Sequence, residues 1–152
     1  MTPKPGSLIR PTVDTPFHID FEWWQKRDRD WRIYLRNLLC EEHRAQFANL
    51  AATEQFDWVD PETAEVRRVD GLLHVLMTHC AQQPEFLRER TSVVESIFRL
   101  LLAHGNAPMT PREMAAWLNK SPQTLVRLLS GARVYRGIRP VGPRRSGGSP
   151  AA

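Results

Sequence analysis

The residues equipped for chemistry fall into two groups. Cys40 and His43 stand three apart, on one face of a predicted helix, and His79 and Cys80 are adjacent on another. Cysteine and histidine are the usual ligands of structural zinc, so antiparallel packing of the two helices would gather a Cys/His set. Two features weigh against it. Neighbouring residues on a helix point about 100° apart, so His79 and Cys80 do not converge. The Cys-x2-Cys knuckle frequent in structural zinc sites is also missing. Buried thiols and ordinary histidines are the expectation, with no metal and no other cofactor. The second group is Ser121, Gln123, Thr124, Arg127, Arg133, Arg136 and Arg139. Glutamine pairs with adenine and arginine with guanine through two hydrogen bonds each, and further arginines suit phosphates.

Nothing else in the chain points to catalysis. A Gly-rich phosphate loop, an HExxH motif and a nucleophile elbow are all missing from the sequence. Asp57 and Asp60 flank Trp58 and suit turn chemistry. Cys40 precedes Glu41 and Glu42, which gives it no reason to be an activated thiolate. His18, His74 and His104 add no ligand spacing. The expectation is a protein that is not an enzyme.

Charge favours the second group. Residues 106–145 hold eight basic residues against Glu113 alone, a local charge of +7, while the rest of the chain carries −3. A basic patch on an otherwise acidic chain is the footprint of a polyanion partner. At 152 residues the chain is long enough for one compact domain or two small ones. Its longest apolar runs are far too short for a membrane span. The segment MTPKPGSLIRPTVDTP lacks the apolar stretch of a signal peptide, so the expected location is cytoplasmic.

These residues need elements to position them. Residues 1–16 carry four prolines and read as a disordered arm. From Asp20, a good N-cap, to about Ala52 the apolar beat of Trp24, Trp31, Leu35, Leu38, Leu39 and Phe47 predicts a long helix, with room for a break. Phe56–Val59 and Glu65–Val69 flank an Asp60-Pro61 turn and predict a β-hairpin anchored by Trp58. Asp70 and Gly71 open a helix that stops before Pro84, with Leu72, Val75, Leu76, His79 and Cys80 on one face. Ser92 and Glu95 have capping-box spacing and start a helix to His104, with Val94, Ile97, Phe98, Leu101 and Leu102 inward and Gly105 past its end. Thr110-Pro111 and Ser121-Pro122 start two more, with Met114, Ala115 and Leu118 facing Leu125, Leu128 and Leu129. Asn119, tolerant of left-handed backbone, falls at the turn between them. Residues 142–152 read as a disordered tail.

Residues Pro111–Ser130 resemble the twenty-residue pattern of the helix-turn-helix family in their apolar positions, the small Ala115 and the turn residue Asn119. Lys120 departs from it, since an apolar residue is common there. The resemblance implies a second helix set in the DNA major groove, with ARVYRGIRPV as a candidate wing lacking an evident partner strand. The stretches FHIDFEWW, LLCEEHRAQF, DWVDPETAEVRRVDGL and LLSGARVYRGIRPV also resemble an uncharacterised bacterial family over most of residues 17–141. That likeness implies one inherited architecture and no activity.

The expected fold is thus mainly α with a small hairpin: a helical module over residues 17–91 and a trihelical helix-turn-helix unit over 92–141. The expected function is double-stranded DNA binding in transcription regulation. The N-terminal module, with Trp23, Trp24 and Trp31, would serve dimerisation or a protein partner. The alternative is an adaptor that uses the same unit to bind protein in a larger assembly. Arginines open beside the second helix favour DNA; arginines paired with acids of the N-terminal module favour the adaptor.

Overall fold

A computed structural model describes residues 10–47, 55–59, 61–131 and 133–142. Among them the chain is mainly helical, with two small antiparallel sheets. In chain order the elements are β1 (Phe17–Ile19), α1 (Phe21–Arg27), α2 (Trp31–Asn37), α3 (Glu41–Gln46), β2 (Gln55–Val59), β3 (Val66–Asp70), α4 (Gly71–Thr78), α5 (Pro84–Arg88), α6 (Val93–Ala103), α7 (Pro111–Leu118), α8 (Pro122–Leu129) and β4 (Ile138–Pro140). The disorder expected of residues 1–9 and 143–152, and the anchoring role expected of the Trp58 side chain, lie outside what is described.

The long helix expected from Asp20 is three short ones. Asp20 does cap α1, accepting the Trp23 N–H at 3.0 Å. Asp28 then ends it: its backbone is extended, and its carboxylate accepts both the Trp24 indole N–H at 3.1 Å and the Asp30 N–H at 2.9 Å. An aspartate that binds its own following backbone offers an alternative to the helical ladder. The break swings Trp31 and Tyr34 onto Trp24, with ring centroids 6.0 and 5.9 Å apart in edge-to-face packing. The hairpin pairs Phe56 with Val69 and Val59 with Val66, one residue out from the expected ends. Asp70 caps α4 through the Leu72 and Leu73 N–H groups and also pairs with Arg32, tying α2 to α4.

Helix α6 is the centre of the molecule. Ile97, Phe98, Leu100, Leu101 and Leu102 are all fully buried. Three consecutive buried leucines span more than half the helix circumference, so α6 is covered on more than one side. Trp24 and Tyr34 lie against Phe98 on one flank, at 5.6 and 5.5 Å between centroids. Residues of α7 and α8, Met114 and Leu125, belong to the same buried cluster. One core therefore draws on both the 17–91 and the 92–141 regions.

Strand β1 is hydrogen-bonded along both edges. On one edge it runs antiparallel to β4, with Phe17 opposite Pro140 and Ile19 opposite Ile138. On the other, Phe17 exchanges two backbone bonds with Met109, at 2.8 and 3.0 Å. The Asn106 side chain continues that edge: it accepts from the Ile19 N–H and donates to the Ile19 carbonyl, both at 2.8 Å. Asn106 reaches this position through left-handed backbone, following Gly105 in the same region. The chain also has a defined path before β1, where Arg112 donates its N–H to the Val13 carbonyl at 3.0 Å and pairs with Asp14 at 2.9 Å.

Gly137 marks the tightest approach in this arrangement. Its φ is +83, and a Cβ there would lie 2.9 Å from the Asp20 carbonyl oxygen and 3.1 Å from Trp24 Cβ. Gly137→Ala is expected to lose about 2–4 kcal/mol in urea denaturation, through strain and clash together. Gly142→Ala, with nothing within 4 Å of the added methyl, is the matched control and should change stability by under about 0.5 kcal/mol.

Candidate functional site

Helices α7 and α8 are placed by two related start signals. Thr110 accepts the Glu113 N–H at 3.1 Å while the Glu113 carboxylate accepts the Thr110 N–H at 2.9 Å, a complete capping box. Asn119 takes left-handed backbone, φ 55 and ψ 42, and turns the chain. Ser121 caps α8 by accepting the Thr124 N–H at 3.1 Å, and its hydroxyl donates to the Thr124 hydroxyl at 2.8 Å. Met114 and Leu125 are fully buried and lock the pair onto α6. What α8 turns outward is Ser121, Gln123 and Arg127, with Thr124 half-buried behind them. Leu128, expected inward, is 42% exposed. With Val94, Leu129, Arg133, Tyr135 and Ile138 it lines a cavity of about 420 Å3, on whose rim none of the described elements covers it.

The basic segment after α8 divides in two. Arg127 and Arg133 are exposed and form no ion pair among the described residues. Arg136 and Arg139 turn back onto the N-terminal helices. The Arg136 guanidinium lies 3.5 Å from the centre of the Tyr34 ring and 5.2 Å from that of Tyr135, with Asp28 at 3.9 Å. Arg139 pairs with Asp20 at 3.0 Å and sits 5.1 Å from the Trp23 ring centre. The segment read as a candidate wing turns sharply at Arg136 and Gly137, both at positive φ. Its one strand, β4, pairs with β1, more than a hundred residues earlier, a partner too distant in sequence to be evident there.

Glu95, expected in a capping box with Ser92, is a buried acid. Ser92 does accept the Glu95 N–H at 3.1 Å, but the carboxylate points inward. It accepts from the Tyr34 hydroxyl, from the Tyr135 hydroxyl at 2.7 Å and from Arg99 at 3.1 Å. Burial alone would raise its pKa; the two hydroxyls and the guanidinium outweigh that and hold the carboxyl below the usual glutamate value. Burial, followed by the bond to Glu95, pushes the Tyr34 phenol upward in turn. Sequence carries one signal of this role: an acid at the third helical position whose neighbours Val94, Ile97 and Phe98 are all apolar.

The cysteines and histidines do come together. Cys40 Sγ lies 3.4 Å from Cys80 Sγ and 3.2 Å from His43 Nδ1, and Cys80 Sγ lies 3.8 Å from the same nitrogen. The His43 and His79 ring centroids are 4.4 Å apart. His79 and Cys80 both reach the cluster because they do not share a helix. Helix α4 ends at Thr78, His79 has φ −122 and ψ −63, and Cys80 opens a 3-10 turn to Gln82. The expected helix through Gln83 was the premise that set these side chains apart.

No protein-family model matches the chain, and no curated protein or solved structure matches it.

Burial pushes the Cys80 thiol up to about 11, with the Cys40 thiol beside it, the opposite of what a thiol nucleophile needs. No helix among the described residues is long and apolar enough to cross a membrane. The Glu95 network yields a pH dependence. A carboxyl depressed in the folded state adds stability above the ordinary glutamate value of about 4.3, and that stability is lost as pH falls through the folded value. Glu95→Gln should therefore lower stability at neutral pH by about 1–3 kcal/mol and flatten the acid limb of a denaturation profile between pH 7 and strongly acidic buffer.

Proposed function

We propose that the protein binds duplex DNA through a helix-turn-helix formed by α7 and α8, in a role such as transcription regulation. The observation that carries this reading is the outward edge of α8. It offers Gln123 and Arg127, flanked by Lys120 and Arg133, and no acidic residue occurs from Met114 to Gly142. At 1.5 Å per residue an eight-residue helix is about 12 Å long, which suits insertion at one point of a major groove about 12 Å wide. Gln123 and Arg127 are the base readers in this reading, and Lys120 and Arg133 are the phosphate contacts. The hydroxyls of Ser121 and Thr124 already bond each other, so capping is their first role. Arg136 and Arg139, counted with the DNA contacts on sequence grounds, support the fold through Asp28 and Asp20.

The adaptor reading is favoured by two observations. Those two internal pairs are what it called for, and Leu128, which lines the cavity, and Val134 are apolar residues 42% and 38% exposed. A mobility-shift titration on random duplex across a salt series separates the readings. DNA binding gives affinity that falls steeply with salt, and the slope of log affinity against log salt becomes shallower by about one for each of Lys120→Ala and Arg133→Ala, the phosphate contacts. Arg136→Ala lowers stability by about 1–2 kcal/mol through the lost stacking on tyrosine and leaves that slope unchanged. No shift at low salt removes the DNA reading and leaves the adaptor.

A further inference from the structure

We propose that Cys40, His43, His79 and Cys80 form a structural zinc site that fastens α3 to the end of α4. The cluster has the dimensions the ion requires. Zinc–sulfur bonds of about 2.3 Å and zinc–nitrogen bonds of 2.0–2.1 Å, at tetrahedral angles, put two thiolates about 3.8 Å apart and a thiolate about 3.6 Å from an imidazole nitrogen. The two sulfur–nitrogen edges, 3.2 and 3.8 Å, lie either side of their value, and the sulfur–sulfur edge, 3.4 Å, is slightly shorter than its own. A disulfide needs the sulfurs about 2.05 Å apart, so 3.4 Å fits ligands of one ion rather than a bond between them.

The fourth ligand is His79. Donor atoms of Cys40, Glu42, His43 and His79 all lie within 4.8 Å of one another, and Cys80 joins that set through Cys40 and His43, at 3.4 and 3.8 Å, so Glu42 and His79 are the two candidates. Charge decides between them. Two thiolates and two neutral imidazoles balance a divalent cation, whereas a carboxylate in place of one imidazole leaves a net negative charge beside the buried Cys80. The His79 ring also has a neighbour outside the cluster, the Gln83 side-chain amide 3.1 Å from Nε2; with the ion on Nδ1, Nε2–H donates and the amide turns its oxygen to accept. Zinc-bound histidines ordinarily have such a partner on the other nitrogen.

A second observation is independent of these distances. Helix α3 has six residues and buries none of them. So short a helix with no buried side chain has little reason to hold its place in water. Among the described residues it meets the rest of the protein through Cys40 at its N-cap, His43, the half-buried Phe47 past its end, and Arg44, which donates to the Asn37 and Leu39 carbonyls just before it. A metal bond at Cys40 and His43 supplies the anchor that apolar burial does not. The proton balance is simple: each thiol that binds releases one proton to solvent, and no redox step is involved.

The test is metal analysis of the full chain, purified under reducing conditions with neither chelator nor added zinc. The expected result is one equivalent of zinc per chain. Replacement by cobalt(II) should give the intense visible bands of a tetrahedral site together with thiolate-to-cobalt charge transfer. Cys40→Ser and Cys80→Ser should abolish both, Glu42→Gln should leave both intact, and Gln83→Ala should weaken zinc affinity about 10–100-fold. A folded, metal-free protein that takes up no cobalt overturns the site, as does a Cys40–Cys80 disulfide that persists under reductant. Metal retained by His79→Ala but lost by Glu42→Gln overturns the choice of fourth ligand. If the cysteine variants fail to fold, the cobalt titration of the unaltered chain decides alone.

Discussion

The interaction on which the rest depends is the pairing of β1 along both edges. Three residues, Phe17–Ile19, bond to β4 on one side and to Met109 and the Asn106 side chain on the other. A strand this short has no stability in isolation. It persists because Phe17 and Ile19 are buried in the common core and because every neighbour that completes it comes from the far half of the chain. Asn106 does with an amide what a further strand residue would do with its backbone. The turn before α7 and the end of β4 are fixed against the same strand, so the orientation of the last helix pair is set from outside that pair.

Charge follows the same geometry. Asp20 and Asp28 border α1, and the two arginines that approach them, Arg139 and Arg136, belong to the segment that delivers β4. Arg136 also stacks on Tyr34, whose hydroxyl bonds Glu95, and Glu95 in turn holds Tyr135, the residue beside Arg136. The network is closed: a buried carboxylate accepts from three donors, and each tyrosine that donates to it also faces the guanidinium. Such a network is strong when complete, and a missing member leaves a buried charge exposed to a low dielectric.

Local devices were legible in the sequence because they act within a few residues. The Thr110-Pro111 and Ser121-Pro122 starts, the Asn119 turn and the Asp20 and Asp70 caps all depend on side chains bonding their own backbone. The inward faces of α6 and α7 were legible from spacing alone. What sequence did not disclose are properties of chain crossings. Leu100 is buried because a second layer covers the far side of α6, and Leu128 is open because no described element covers that side of α8. Glu95 looked like a capping residue because its three partners lie on α2, on its own helix and after α8. The convergence of Cys40, His43, His79 and Cys80 was hidden by a single deviation at His79. One non-helical residue turned two divergent side chains into neighbours.

Strand β1 also has a bearing on the order of events during synthesis. It leaves the ribosome among the first described residues, yet its last partner, Ile138–Pro140, is among the final ones. Until then Phe17 and Ile19 are apolar residues with one edge unpaired, and the acids of α1 face no arginine. Closing a loop of this length costs entropy that only the finished core offsets. The fold therefore closes last where β4 reaches β1, and the N-terminal helices acquire the Arg136 and Arg139 charges only once residues 136–139 have been made.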